Sequence, residues 1–246
     1  IRVLDLTRVI AGPVATRALA LLGAEVLRID PPSMPEIPWQ HLDTGHGKRS
    51  ALLDLTGPAG RARFEALLAD ADVVALGYRG EALDRLGLSP AALAERHPGI
   101  VVLRHSAWGD AARRGFDSVV QAACGMSWVE SATGDVPGAL PAQALDHSTG
   151  YLLAATALDA LGRRAKEGGS WLVETSLRRV AAELLGMPRT IDPTSHTIAD
   201  ATGHVQTFSL DGRELVTAAP ALAYTGGPVR FDPPRPWGQD APDWGR

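Results

Sequence analysis

Asp146 has the neighbours a reactive carboxylate needs. It stands in ALDHSTG, residues 144–150, directly ahead of an almost wholly apolar stretch at 151–161 that reads as a buried helix. An aspartate there lies beside backbone N–H groups that the helix leaves free, the surroundings in which a carboxylate can attack a carbonyl whose developing charge meets N–H donors. Taken alone, the position reads first as an N-cap, with Ser148 and Thr149 behind it. Asp117 likewise precedes a helical segment at 118–124 and reads as its cap. Lone histidines such as His105 and His147 read first as structural. No G-x-x-x-x-G-K-[ST] loop, zinc-spaced His/Cys set or G-x-S-x-G elbow occurs.

These groups must be positioned by an alternation of strands and helices. Residues 3–30, VLDLTRVIAGPVATRALALLGAEVLRID, run as strand, turn, apolar helix and second strand. Thr7 ends the first strand, Gly12-Pro13 makes a turn with Pro13 at the first helical position, and Gly23 closes a helix whose apolar face is Val14, Leu19, Leu21 and Leu22. Such a unit builds a parallel pair and offers a ligand the end of its first strand. Further strands are expected at 50–55, 72–76, 99–105 and 171–174, with a helix at 60–68. The prediction is an α/β fold: a Rossmann-like doubly wound, mostly parallel sheet, with a short C-terminal β-hairpin and an irregular tail. The hairpin falls at 205–210 and 213–217 around Asp211-Gly212, and the tail follows from Gly226. Prolines 31, 32, 35 and 38 make 31–47 a long loop near the ligand edge. We expect a large domain at 1–185, with the hairpin and tail of 186–246 packed on it.

Composition narrows the field. A chain of 246 residues, 45% hydrophobic and 21% charged, can bury a sizeable core. Its net charge of −4 offers no basic field to nucleic acid, and no apolar run suits a membrane span. The only cysteine, Cys124, excludes an internal disulfide and a multi-cysteine metal cage, so the cytoplasm is the expected compartment and no metal is expected. The chain opens at Ile1 already in strand pattern, as a trimmed start would. A nicotinamide dehydrogenase is the rival from the same fold class, because Asp30 ends the second strand where a ribose-binding acid would stand. Its fingerprint fails, since residues 11–16 read AGPVAT and lack G-x-G-x-x-G.

Several segments together resemble the CaiB/BaiF family, the class III CoA-transferases and their α-methylacyl-CoA racemase relatives. They are LDLTRVIAGP with LLGAEVLRID, GKRSALLDL with GPAGR, YRGEALDRLGL, GFDSVVQAACG, and ALDHSTGYLLAATALDAL, in the family's order. The resemblance implies acyl-CoA and carboxylic acid substrates, with Asp146 forming a mixed anhydride and then a CoA thioester. It implies a homodimer or pairing with a related chain, because family members interlock and the small domain of one covers the active site of the other. The chain looks like a short member without that small domain. A catalytically inactive CoA-binding partner of a complete paralogue is therefore one alternative.

An acyl-CoA racemase or isomerase is the other alternative. There a histidine just before the Asp117 position pairs with the downstream aspartate, but here that position is Phe116, and only His147 or His105 could substitute for it. The same resemblance makes Asp117 a second catalytic candidate. It nominates Lys48, Arg49, Tyr78, Arg79, Arg85, and Arg113 or Arg114 for the CoA phosphates, and Val9, Ile10 and Ala11 for the thioester pocket. Formyl-CoA transferases carry a glutamine where this chain has Ile10, so their acid specificity does not transfer.

Overall fold

The computed structural model describes residues 1–110, 112–188, 200–210 and 212–245. Strands β1 (Arg2–Leu6), β2 (Glu25–Asp30), β3 (Lys48–Leu52), β4 (Val73–Leu76), β5 (Val101–Ser106) and β6 (Trp171–Ser176) form one sheet in the order 3-2-1-4-5-6, every pair parallel. This is the doubly wound order of Rossmann-type sheets, whose crevice opens between the carboxyl ends of β1 and β4. The separate antiparallel hairpin is β7 (Val205–Leu210) with β8 (Arg213–Ala218). In its turn Gly212 has φ +74°, while Asp211 lies outside the described residues.

The central strands bury both faces, which is why they read as continuous apolar runs. Leu4, Leu6, Leu27, Ile29, Val74 and Leu76 meet helices α3 (Pro58–Leu68), α4 (Gly80–Arg85) and α5 (Pro90–Arg96) on one face. Val3, Val26, Val73, Ala75, Val101 and Leu103 face the other way, against α1 (Ala11–Leu21) and α8 (Ala144–Glu167). A third cluster at the carboxyl edge joins α6 (Asp117–Ala123), α7 (Met126–Val129), the first turn of α8 and α9 (Leu177–Gly186) through Val120, Met126, Leu145 and Val180. That cluster fixes the part of α8 carrying Asp146.

Three local expectations are corrected. The proline-rich segment contains α2 (Pro38–Thr44), which starts on Pro38 and is held by His41, whose Nε2 lies 2.8 Å from the Arg235 carbonyl. Helix α1 begins at Ala11, so Pro13 stands third in it rather than first. Helix α8 begins at Ala144, so Asp146 lies inside its first turn and is not the cap.

The irregular tail closes the β3 edge. Gly238 N–H donates to Ser50 Oγ at 2.9 Å and Asp240 N–H to the Ser50 carbonyl at 2.8 Å. An open row of strand donors and acceptors is thereby covered.

Candidate active site

The turn after β1 is built around a buried charge. Asp5 is fully buried, and it accepts bonds from Thr7 N–H at 3.0 Å, from the Thr7 and Thr16 hydroxyls, and from Lys48 Nζ at 2.9 Å. Burial opposes its ionisation, but Lys48 and then Arg28 outweigh that and hold its carboxyl below the usual range. Gly12 is required where the chain folds back, since a Cβ there would stand 2.4 Å from Thr7 Cβ. Between them Val9 has φ +70°, a strained conformation for a β-branched residue, and its N–H donates to Glu36 Oε2 at 3.1 Å. Glu36 is itself anchored by Arg28 Nη2 at 2.8 Å. The proline-rich segment thus holds the turn in place.

Asp146 reaches this turn because α8 lies hard against α1. A Cβ on Gly150 would come within 2.7 Å of the Ala11 carbonyl and of Val14 Cβ. Gly150→Val is therefore expected to push the helices apart and destabilise the protein by about 1–3 kcal/mol, the usual range for overpacking. An unchanged urea midpoint would show that the contact does not set the α1–α8 spacing.

Asp117 is only 2% exposed and opens α6, with Phe116 as the N-cap residue. Its carboxylate caps the other helix: Oδ2 accepts Asp146 N–H at 2.9 Å, while Oδ1 accepts Gln121 Nε2. The Asp146 carboxylate itself accepts no hydrogen bond from the described residues. Burial, then repulsion from Asp117, pushes it up to about 7.

A cavity of about 170 Å³ opens at the crevice. Arg8, Val9, Ile10 and Ala11 line it from the end of β1 and the start of α1, where first-turn N–H groups lack intrahelical acceptors. Gly77, His105 and Ser106 line it from the ends of β4 and β5, and Ala107, Gly115, Phe116, Asp146 and Leu177 complete the wall. On the other side of β1 a larger apolar cavity, about 400 Å³, is bounded by Leu6, Ile29, Pro31, Leu53, Tyr78 and Leu83. The Tyr78 hydroxyl is buried and has no hydrogen-bond partner among the described residues.

The structure brings Val9, Ile10, Ala11 and Asp146 to one cavity and Tyr78 to its neighbour. Arg79 and Arg85 are exposed at the two ends of α4, outside the walls of either cavity. The Arg113 guanidinium lies over the Trp108 ring, while Arg114 is exposed and accepts Trp108 Nε1 through its carbonyl at 2.9 Å.

Lys48 and Arg49 stand at the start of β3, outside the walls of both cavities, and both are engaged within the protein. Lys48 is 2% exposed and donates to Asp5, Thr16 and the Pro13 carbonyl. Arg49 bonds the Asp243 carbonyl at 2.6 Å and its carboxylate at 2.7 Å. Asp30, which the dehydrogenase reading needs free, is fully buried and bound by Arg28 and by Trp237 Nε1.

Arg8, Glu36 and Gly77 escape a reading of the sequence alone. Arg8 lies inside a recognisable segment, but Glu36 sits in a stretch without periodicity.

The sequence model of CoA-transferase family III matches residues 1–225. The chain is similar to the "Probable fatty acyl-CoA transferase Rv3272" of Mycobacterium tuberculosis, 32% identical over 200 residues, which span 74% of this chain and 51% of that protein. It is also similar to "Acetyl-coenzyme A transferase nodX" of Hypoxylon pulicicidum, at 33% identity over 81% of this chain and 35% of the relative. A crystal structure of Rv3272 matches with a TM-score of 0.69 at 33% identity, over 75% of this chain and 54% of that one. The fold is shared with a CAIB/BAIF family protein from Brucella suis, at a TM-score of 0.71 and 22% identity over 87% and 64% of the two chains. The chain spans about half or less of the length of these curated relatives.

Proposed function

The chain belongs to CoA-transferase family III, and on that premise we propose that it moves CoA from an acyl-CoA to a carboxylic acid by way of Asp146. The observation that carries the reading is the unpaired Asp146 carboxylate on the wall of a cavity at the ligand edge of the sheet. One of its oxygens attacks the thioester carbonyl carbon, the C–S bond breaks, and CoA leaves as thiolate from a mixed anhydride. The thiolate attacks the Asp146 carbonyl carbon, the donor acid departs with one Asp146 oxygen, and an aspartyl-CoA thioester remains. The acceptor carboxylate runs these steps in reverse and regenerates Asp146. First-turn N–H groups of α1 supply donors for the developing oxyanion. Asp117 positions Asp146 through its backbone bond and raises its basicity by repulsion.

In this reading the apolar cavity beside Tyr78 takes the nucleoside end of CoA, and Arg79, Arg85 and Arg114 meet phosphates. The pantetheine arm crosses between β1 and β4. Residues 1–185 carry the site, and the described part of the hairpin and tail, 200–210 and 212–245, braces it. We also propose that a second chain completes the mouth, a reading supported by Phe116, Val119 and Trp128, which are 65%, 50% and 61% exposed on α6, its cap and α7.

Racemisation is disfavoured because the Phe116 ring cannot accept a proton. An inactive CoA-binding subunit draws support from a relative of 28% identity named "Succinyl-CoA--L-malate CoA-transferase alpha subunit".

Turnover with an acceptor acid labelled in both carboxylate oxygens with ¹⁸O distinguishes the readings. Covalent transfer deposits label in the peptide containing Asp146, whereas an unlabelled peptide after measured CoA exchange refutes it. Replacing Arg85 with Ala is expected to weaken CoA binding by about 1.5–3 kcal/mol, the range for bonds to charged groups. Calorimetry giving the wild-type Kd would remove Arg85 from the site.

A further inference from the structure

We infer that His105 is a catalytic hydrogen-bond donor of this site, its ring N–H holding the thioester carbonyl oxygen while Asp146 attacks the carbon. The inference rests on the proposed CoA transfer and adds to it a residue and a role.

The ring is wedged at the crevice. A Cβ on Gly77 would lie 2.9 Å from His105 Cε1 and 3.1 Å from Thr7 Cα, so bare glycine backbone lets the imidazole sit against the ends of β1 and β4. His105 lines the same cavity as Asp146, and at about 170 Å³ that cavity is well below the roughly 300–1,000 Å³ of drug-sized ligand sites. Both side chains therefore border the space that an acyl carbonyl would enter. Among the described residues no group hydrogen-bonds the His105 ring, so its donor is uncommitted. A second, polar cavity lined by Arg104, Glu174 and Arg179 shares His105 and Ser106 with the first.

Burial pulls the imidazole down to about 4 against the attraction of Asp5, so at neutral pH it is uncharged and carries one N–H. Such a ring is a poor base but a sound donor, and it can polarise a carbonyl without neutralising the attacking carboxylate. As the Asp146 oxygen bonds to carbon, the carbonyl π pair moves onto oxygen and is held by this N–H. The pair returns as the C–S bond breaks, and His105 keeps its proton throughout.

His147, the other histidine beside Asp146, does not line the cavity. Burial and then Arg17 lower its pKa, against the attraction of Asp43 and Asp117.

The test uses the full chain as wild type, His105→Ala and His105→Gln. In exchange assays the Ala variant is expected to lose about 100-fold in kcat, the loss seen when one oxyanion donor is removed. CoA Kd should hold, and Gln, which keeps a donor, should recover part of the rate. Infrared spectra of a ¹³C-carbonyl acyl-CoA analogue, with methylene in place of the thioester sulfur, give a readout without turnover. Binding to wild type should lower the carbonyl stretch, Ala should restore the free value, and Gln should fall between. A bound analogue whose stretch is the same in all three proteins overturns the role of His105 alone. Failure of the analogue to bind wild type overturns it together with the proposed CoA transfer.

Discussion

Replacing Asp146 with Asn is expected to abolish CoA exchange and, at pH 8, to make the protein more stable. The two effects share one cause. Burial, with Asp117 nearby, raises the Asp146 pKa from 3.8 to about 7. Between those values the folded chain binds a proton that the unfolded chain has lost, so stability falls as pH rises through the window and levels off above it. One pKa unit corresponds to about 1.4 kcal/mol, and discounting for partial exposure leaves about 2 kcal/mol for Asn to recover. Below pH 4 both forms are protonated and the gain should vanish.

An aspartate serving only the first turn of α8 predicts the reverse sign, because it would favour the helix dipole by about 0.3–1 kcal/mol and Asn would lose that. Activity should fall by at least about 10³-fold, since among the described residues no other carboxylate lines the cavity to replace the nucleophile. Thermal melts at pH 4 and pH 8 beside an exchange assay measure both.

Removing Lys48 is expected to cost more stability than any other single change to a charged residue considered above. Lys48→Met would leave Asp5 ionised and without its ammonium partner in the interior, a loss of about 3–5 kcal/mol for a broken buried pair. That is a large part of the margin of an ordinary domain. Burial pulls Lys48 down to about 8, yet it remains protonated at neutral pH and carries three hydrogen bonds. Pairing Lys48→Met with Asp5→Asn removes both charges, and the double variant should regain most of the loss. CoA affinity of the folded Lys48→Met protein should match wild type, because the ammonium points at Asp5. A urea midpoint unchanged in the single variant, or a selective loss of CoA binding, would contradict this placement.

Much of the scaffold was legible because the strands bury both faces and so stand out as short apolar runs between helical stretches. The edges of elements were less so. Helix α8 starts earlier than its apolar run because its cap comes from elsewhere: Gln143 makes no side-chain cap, and Asp117, far away in sequence, accepts the Asp146 N–H. Helix α2 hid in a proline-rich segment since His41 and Gln40 are buried by tertiary contacts rather than marked by periodicity.

Asp146 and the 9–11 turn were identifiable from motif context. The buried ionic network was not, because Asp5, Arg28, Glu36 and Lys48 carry charges that composition assigns to the surface, and Lys48 finds Asp5 only once β3 is in place. His105 stood out only as one of two candidate substitutes for the histidine missing at Phe116, and nothing in the sequence set it above His147 until the ends of β1, β4 and β5 converged on one cavity.

The central claim is that the Asp146 carboxylate becomes acylated. Incubating the protein with acyl-CoA and hydroxylamine, then mapping peptides by mass spectrometry, tests it most directly. A hydroxamate on Asp146, absent when acyl-CoA is omitted, is the predicted result. An unmodified Asp146 peptide from protein that binds CoA and turns over acyl-CoA would contradict the account.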